Sequence, residues 1–424
     1  MIHSVVRNLL PAAAVRRIVV LEAIVANHSD GLLAQTTPWL ECAPPDIGGN
    51  ARPRRRSLKI VRLPRPDPPH SEKGATMPEI PTTMQALIVK HDGYSGTSEG
   101  PTIERLSDWC ELAEIDVPKP SGSQVLIKVG LANVNPSDLH YIKGEYGQPR
   151  RKGVPAGFEG MGEVVAAGED ETARKLIGQR VAVSASRGGS GVWAEYAMTD
   201  ARAVVPLHPK LRDEDAAALI VNPMTAWAML DLVKQAGAKA FVMTAGASQL
   251  GKLMASLAKE MDLAAIATVR REEHRSLLEG LGVGTVLNTE REDFEDMLVM
   301  AMRQVQPTVM LDAVADSRSA DIFAAMPAGA RWVIYGKLSP QSPALPSLGQ
   351  MVFMKKKIEG FWLSEWMTTA SPEARREAFE KVQERFVSGA WKTDVAATLP
   401  LREAEEKIAD ALSGLNRGKV LIRP

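Results

Sequence analysis

Cysteine is nearly missing from this chain of 424 residues, which has only Cys42 and Cys110. Two thiols cannot build a disulfide scaffold, and they cannot supply the four clustered ligands of a cysteine-rich structural zinc site. Seven histidines are present, and no two stand at metal-ligand spacing. Net charge is missing as well: 51 Lys and Arg balance 51 Asp and Glu, so no global field draws the chain to nucleic acid or to an acidic membrane surface. No apolar run approaches the roughly 20 residues that cross a bilayer. No Ser-His-Asp arrangement can be placed by spacing. These absences predict a soluble protein of a reducing compartment, long enough for two domains with separate cores.

Residues 1–76 differ in texture from the rest. They hold "NARPRRRS" and "RLPRPDPPHSEKGAT", rich in Arg and Pro and without a period that would bury a face. This segment is expected to be a leader outside the fold. The opening "MIHSVVRNLLPAAAVRRIVVLEAIVANHS" is apolar and basic in the manner of an organellar transit peptide, but Glu22 and the scarcity of serine count against that. A start of translation at Met77 or Met84 is the favoured alternative, because strand-like order begins in "MQALIVK".

From Met84 to Pro206, short β-rich runs such as "ALIVK", "QVLIKVGLANV" and "RVAVSAS" are split by Gly, Pro and Asp, which predicts a compact, mostly antiparallel domain over 84–210. Residues 211–350 alternate apolar strands ("KAFVMTA", "LAAIATV", "PTVMLDAVA") with longer periodic segments. That alternation predicts a doubly wound parallel sheet that binds a nucleotide. The tail, 351–424, is expected to return to the β domain through "GKVLIRP".

The strand "FVMTA" runs into a helix through Gly246, Ala247, Ser248, Gln249, Leu250 and Gly251, which sets backbone N–H groups and a helix N-terminus where a pyrophosphate could sit. The second strand ends in Arg270 and Arg271, where NAD-binding domains usually carry an acid for the ribose hydroxyls. Guanidinium groups suit a ribose phosphate, so NADPH is expected rather than NADH. In "ANVNPSDLHYIKGEYG", Tyr146 lies in a glycine-flanked loop able to reach a cleft between domains. At neutral pH its phenol carries the proton and can donate it. His140 reads as structural or surface, and Asp138 as a cap for the turn that follows Asn135 and Pro136. In "PAGFEGMGEVVAAG", tight glycines feed a strand around Phe158 and Glu159.

These stretches, with "NPMTAWAML", "TVRR", "YGKL" and "GFWLSEW", resemble the zinc-independent members of the medium-chain dehydrogenase/reductase superfamily. The resemblance covers nearly all of 84–424 and is nearest to the mitochondrial-type trans-enoyl thioester reductases, then to the quinone oxidoreductases. It implies an α/β protein in which a GroES-like β-rich catalytic domain is joined to a Rossmann domain that binds NADPH. It also implies that zinc-dependent relatives carry Cys where Asn135 stands, His where Phe158 stands and a second Cys near Val221. With Glu159 alone left, no metal site is expected. The resemblance matches Tyr146 to the proton donor, and Asn222 and Thr225 of "NPMT" to the nicotinamide side of the cofactor. It matches Gly246 to Gly251 to the pyrophosphate turn and Arg270 and Arg271 to the ribose phosphate. Tyr335, Gly336, Phe361, Trp362 and Leu363 match segments that close over the nicotinamide, and Lys419 a terminal lysine near the cofactor.

The reaction this implies is hydride transfer to the β-carbon of an electron-poor alkene, most naturally a trans-enoyl thioester of CoA or of an acyl carrier protein, with Tyr146 assisting protonation. NADPH:quinone oxidoreduction is the alternative, and a cofactor-binding module without turnover a distant third. Arg150, Arg151 and Lys152 are candidates for meeting CoA phosphates or an acidic carrier, or else form a solvated basic loop, and Lys337 in "YGKL" is expected to narrow the acyl channel. A homodimer is implied, with no nucleic-acid or membrane partner. The expected location is the cytoplasm, or the mitochondrial matrix if 1–76 act as a transit peptide.

Overall fold

The computed structural model describes residues 79–185, 189–345, 347–413 and 418–424, so the leader expected over 1–76 lies outside the described residues. In chain order the first half holds β1 (Thr83–Val89), β2 (Cys110–Asp116), β3 (Gln124–Val134), α1 (Pro136–Lys143), β4 (Glu159–Ala167), β5 (Arg180–Ser184), β6 (Tyr196–Asp200) and β7 (Val204–Pro206). The second holds α2 (Val221–Gln235), β8 (Ala240–Met243), α3 (Gln249–Glu260), β9 (Ala264–Val269), β10 (Thr285–Asn288), α4 (Phe294–Val305), β11 (Val309–Asp312), α5 (Ser317–Ala325), β12 (Arg331–Ile334) and β13 (Lys357–Gly360). The chain ends with α6 (Leu363–Thr369), α7 (Pro372–Val387), β14 (Val395–Pro400), α8 (Leu401–Ser413) and β15 (Lys419–Arg423).

The β-branched runs of the first half form an antiparallel framework around β3, which pairs with β4, β6 and β15. A two-stranded ladder, β1 with β2, lies beside it. The second half is a six-stranded parallel sheet in the order β10-β9-β8-β11-β12-β13. Its inner strand β8, "AFVM", is buried at every position. A strand covered on both faces needs such a continuous apolar run, whereas one with a wet face would alternate.

The expectation that 351–424 returns to the β domain as a unit is corrected by the sheet order. β13 adds to the parallel sheet beside β12, and α6 and α7 pack on α2. Only β14, α8 and β15 join the β framework. "KIEG" follows the parallel register because its backbone continues the open edge left by β12.

The two halves share a core. One apolar cluster runs from Phe241, Leu253 and Leu311 around the parallel sheet to Leu131, Met161 and Leu421 of the β framework. The junction is therefore packed, and side chains at the ends of β3, β4, β12 and β13 are held at fixed separations.

Candidate active site

The site is built where α1 leaves β3. Pro136 occupies the first turn of α1, and the Asn135 N–H donates to Asp138 Oδ2 at 2.7 Å, which closes the helix start. Asp138 Oδ1 accepts from the Phe158 N–H at 2.7 Å, so the acid predicted to cap one turn also fixes the entry to β4. Gly157, at φ 94°, passes so close to Trp193 that a Cβ there would lie 2.3 Å from the indole ring. Only glycine suits that approach and that backbone region.

Glu159 is fully buried and its carboxylate is saturated. Oε1 accepts from the side-chain amides of Asn133 and Asn135, each at 2.7 Å, and Oε2 from the backbone N–H groups of Ile220 at 3.0 Å and Val221 at 2.8 Å. The last two bonds dock the start of α2 onto the β framework. The ammonium of Lys419, from β15, donates to Asn135 Oδ1. Burial pushes the Lys419 pKa down, against the favourable fields of Glu159 and Asp138. Burial also raises Asp138 to about 7, outweighing its two backbone hydrogen bonds, with the like charge of Glu159 adding to the rise. The three positions that the resemblance links to zinc ligands thus hold an amide, a phenyl ring and an isopropyl group, and an ammonium supplies the local positive charge. Among the described residues no three His, Cys, Asp or Glu side chains converge as a metal would require.

Tyr146 lies beside this network. Its hydroxyl accepts a hydrogen bond from Trp362 Nε1 at 2.9 Å, and its ring packs on Phe158 at 5.1 Å between centroids. Phe158 in turn meets Tyr141 at 5.2 Å. Burial raises the Tyr146 pKa, the Trp362 bond opposes that, and Asp138 adds to the rise, so the phenol keeps its proton at neutral pH. With its lone pair engaged by the indole, the O–H remains available to donate. A cavity of about 360 Å³ is lined by Tyr94, Tyr141, Gln148, Arg151, Val154 and Phe158 among others. A larger cavity of about 540 Å³, around Gln85, Arg402 and Arg423, shares none of these residues.

The glycine turn has the features a dinucleotide needs. Ser248 caps α3 by accepting from the Gly251 N–H at 3.1 Å. A Cβ on Gly251 would lie 2.2 Å from the Gly246 carbonyl oxygen, so glycine is required for the turn to fold against its helix. The backbone N–H groups of Ala247, Gln249 and Leu250 have no acceptor among the described residues. Three open donors at the N-terminus of a 12-residue helix fit a pyrophosphate. Ala245 stands at φ 49°, a strained backbone of the kind found where a loop is shaped for a ligand. The Gly246 N–H donates to the Thr268 carbonyl at 2.9 Å, which ties the turn to the end of β9. Arg270 and Arg271 follow there, exposed; Arg271 reaches Glu273 at 3.5 Å, and Arg270 has no ion-pair partner among the described residues. The residues present therefore fit a phosphorylated dinucleotide.

The remaining predicted residues are distributed around this turn. Asn222 is half-buried and Thr225 buried on the first turns of α2, directly after the N–H groups that Glu159 holds. Tyr335, Phe361 and Leu363 pack on the same apolar cluster, with the Phe361 N–H bonded to Ile334 at 2.9 Å. The Tyr335 hydroxyl is buried without a hydrogen-bond partner among the described residues, and burial pushes its pKa up. Gly336 passes the Ala313 carbonyl closely enough that a Cβ would sit 3.0 Å from it. The Gln249 side chain turns away from the phosphate turn and bonds Lys392 and Asp394 instead.

Two residues, Arg150 and Lys337, come out differently from the sequence reading. Arg150 is buried and spends its guanidinium on the carbonyls of Asp92, Gly93 and Ile142, so it cannot meet a CoA phosphate or a carrier protein. Arg151 gives one donor to Gly189 at 2.7 Å, while Lys152 is exposed. Lys337, expected to narrow an acyl channel, turns its ammonium to Ser98 and Pro340. His140 is structural, as read, and pairs with Glu145 at 3.3 Å. The sequence reading missed Asn133, whose amide meets Glu159, and Asp312, which accepts from Thr244, Ser319 and Trp332 at the ends of the parallel strands. Neither has a local sequence signal, because each acts across strands far apart in the chain.

Comparison with known proteins agrees with this architecture. Residues 121–209 match the alcohol dehydrogenase GroES-like domain, and residues 250–384 match the family described as zinc-binding dehydrogenase. A crystal structure from Mesorhizobium loti, described as a candidate NADPH:quinone reductase, is 50% identical, covers 82% of this chain and all of its own, and superposes with a TM-score of 0.78. The human mitochondrial enoyl-[acyl-carrier-protein] reductase is 26% identical over 81% of this chain and 89% of its own length. The Etr1p/NADP/crotonyl-CoA complex shares the fold at 20% identity and a TM-score of 0.65, covering 81% of this chain and all of its own. The paired GroES-like and parallel-sheet halves, matched end to end by a half-identical relative, place the chain in the medium-chain dehydrogenase/reductase superfamily.

Proposed function

We propose that this protein is an NADPH-dependent reductase of activated carbon–carbon double bonds, with trans-enoyl thioesters as its substrate class. The observation that carries the reading is the half-buried phenol of Tyr146, packed on Phe158 and held by Trp362 from the cofactor half. When bound, NADPH supplies the hydride. The open N–H groups after Gly246 would hold its pyrophosphate, and Arg270 and Arg271 would meet its ribose phosphate. Hydride addition to the β-carbon leaves negative charge on the substrate carbonyl oxygen and a carbanion-like α-carbon. Tyr146 Oη, or a water it holds, gives its proton to the α-carbon, and the Trp362 N–H steadies the phenolate that remains. Without a metal, hydrogen-bond donors carry the charge stabilisation. The human relative and the crotonyl-CoA complex, each named for a thioester, support this substrate class.

NADPH:quinone reduction is the second reading, favoured by the 50% identity to the Mesorhizobium loti protein. The same cofactor half serves both reactions. A second copy of the chain is the expected partner: β13 is one edge of the parallel sheet, and Leu348, Val352, Phe353 and Ile358 are exposed on or just before it. Among the described residues no helix is long and apolar enough to cross a membrane. The human relative is named as mitochondrial, while the segment that would address this chain to an organelle lies outside the described residues. The test is NADPH consumption by the full chain with crotonyl-CoA and with benzoquinone, using NADH as the cofactor control. Turnover on the thioester supports the first reading; turnover on quinone alone moves the protein to the second.

A further inference from the structure

The residue before Tyr146 is a carboxylate that no step above uses. The Glu145 side chain is only 3% exposed, yet it is surrounded by donors. Oε1 accepts from the Thr97 hydroxyl and the Glu99 N–H, each at 2.9 Å, and Oε2 from the Gly100 N–H at 3.2 Å and from His140 at 3.3 Å. Lys143 lies 3.8 Å away and itself donates to the Gly100 carbonyl at 2.8 Å. Burial opposes the Glu145 charge, but the Glu99 N–H, the Thr97 hydroxyl, Lys143 and His140 together hold its pKa below the usual carboxylate value. The Glu145 backbone is anchored too, its N–H donating to the His140 carbonyl at 2.8 Å.

Segment 95–100 is thereby strapped to the end of α1. The Ser95 N–H donates to the Gly144 carbonyl at 3.0 Å, and Gly93 exchanges two backbone bonds with Arg150 at 3.1 and 3.2 Å. The strap also touches the cofactor half. Lys337, two residues after Tyr335, donates to the Ser98 hydroxyl and carbonyl, and a Cβ on Gly100 would lie 3.3 Å from the Leu338 carbonyl.

From this geometry we infer that Glu145 is a positioning residue for Tyr146: its carboxylate, through the strap at 95–100 and Lys337, fixes the phenol relative to the cofactor half. The inference rests on the reading of Tyr146 as donor. A displacement of about 1 Å at a reacting group can cost on the order of 100-fold in rate, so a fixed loop backbone matters for a donor carried at the end of a long side chain. Trp362 holds the tip of Tyr146; Glu145 holds its base.

A double-mutant cycle on the full chain tests this. Glu145→Ala is expected to lower kcat on crotonyl-CoA about 10- to 100-fold, with KM for NADPH within about twofold of wild type. Placed on Tyr146→Phe, the same change is expected to cause no further loss, because the donor it positions is already gone. Lys337→Met, which cuts the strap from the cofactor half, should lower kcat by less than Glu145→Ala, again only when Tyr146 is present. If Glu145→Ala does not fold, Glu145→Gln serves, keeping an acceptor for the strap N–H groups but losing the charge. Equal losses in the Tyr146 and Phe backgrounds, or a lowered melting temperature with unchanged kcat, would overturn the proposal and leave the donor reading intact. Full turnover by Tyr146→Phe alone would instead remove the donor reading and the proposal with it.

Discussion

Trp362 Nε1 donates to Tyr146 Oη at 2.9 Å, so a residue that follows the last strand of the parallel sheet holds a phenol carried on a loop of the β framework. The bond crosses the junction between the two halves. It couples the position of the acid to the strand ends that would flank a bound nicotinamide.

Loss of that bond should cost rate rather than fold. Trp362→Phe keeps an aromatic ring near Tyr146 and removes the one N–H. A hydrogen bond of this kind is worth about 1 kcal/mol net, so kcat on the thioester should fall about fivefold. KM for NADPH should change less. Steady-state kinetics of the variant check this, and an unchanged kcat would remove Trp362 from the mechanism.

Stability should fall as pH rises from about 4 toward 7, and Asp138 is the reason. Its folded pKa is raised to about 7, well above the unfolded value of roughly 3.9, so between those limits the native state holds a proton that the unfolded state has released. Native stability is therefore fully retained below the unfolded pKa and declines until the carboxyl ionises in both states. Asp138→Asn is neutral throughout and should flatten this part of the profile. Thermal melting from pH 4 to 8 on both proteins reads it directly; identical slopes would show that Asp138 does not carry the effect.

The cationic pair after β9 should set the choice of cofactor. Replacing both Arg270 and Arg271 by Ala removes charge-assisted contacts worth about 1.5–3 kcal/mol each to a phosphate, so KM for NADPH should rise at least about tenfold. KM for NADH, which lacks the phosphate, should hardly move. An equal rise for both cofactors would assign these residues to folding of the turn.

Glu159 should matter for assembly of the two halves. Its carboxylate satisfies two buried amides and the first two N–H groups leading into α2. Glu159→Ala leaves four donors and the Lys419 ammonium without it, a loss of about 3 kcal/mol or more. Glu159→Gln should lose less, because its carbonyl oxygen still accepts. Melting temperatures of the two variants rank the effect, and equal melting for Ala and wild type would contradict it.

Much of this architecture was legible in the sequence because it is local. The change from β-rich runs to strand and helix alternation near residue 211, the glycine turn after "FVMTA" and the arginines after "ATV" each sit in one short stretch, and the parallel sheet forms where they predict it. The fate of the tail was not legible, since "KIEG" has no feature that says whether it pairs with β12 or with the β framework; the open edge decides. Charged residues were the hardest to read. Arg150 looks like a ligand for an anionic substrate in sequence and Lys337 like a residue that narrows a channel, but nearby carbonyls and Ser98 take their donors in the fold. Glu145 is the converse case, a charge beside Tyr146 that burial, four donors and Lys143 turn into a fixed support.

The most direct measurement is kcat for NADPH-dependent reduction of crotonyl-CoA by the full chain and by Tyr146→Phe. Loss of the positioned acid should lower kcat by about 100- to 10,000-fold with little change in melting temperature. Turnover by Tyr146→Phe equal to that of the wild type would contradict the assignment of Tyr146 as the proton donor.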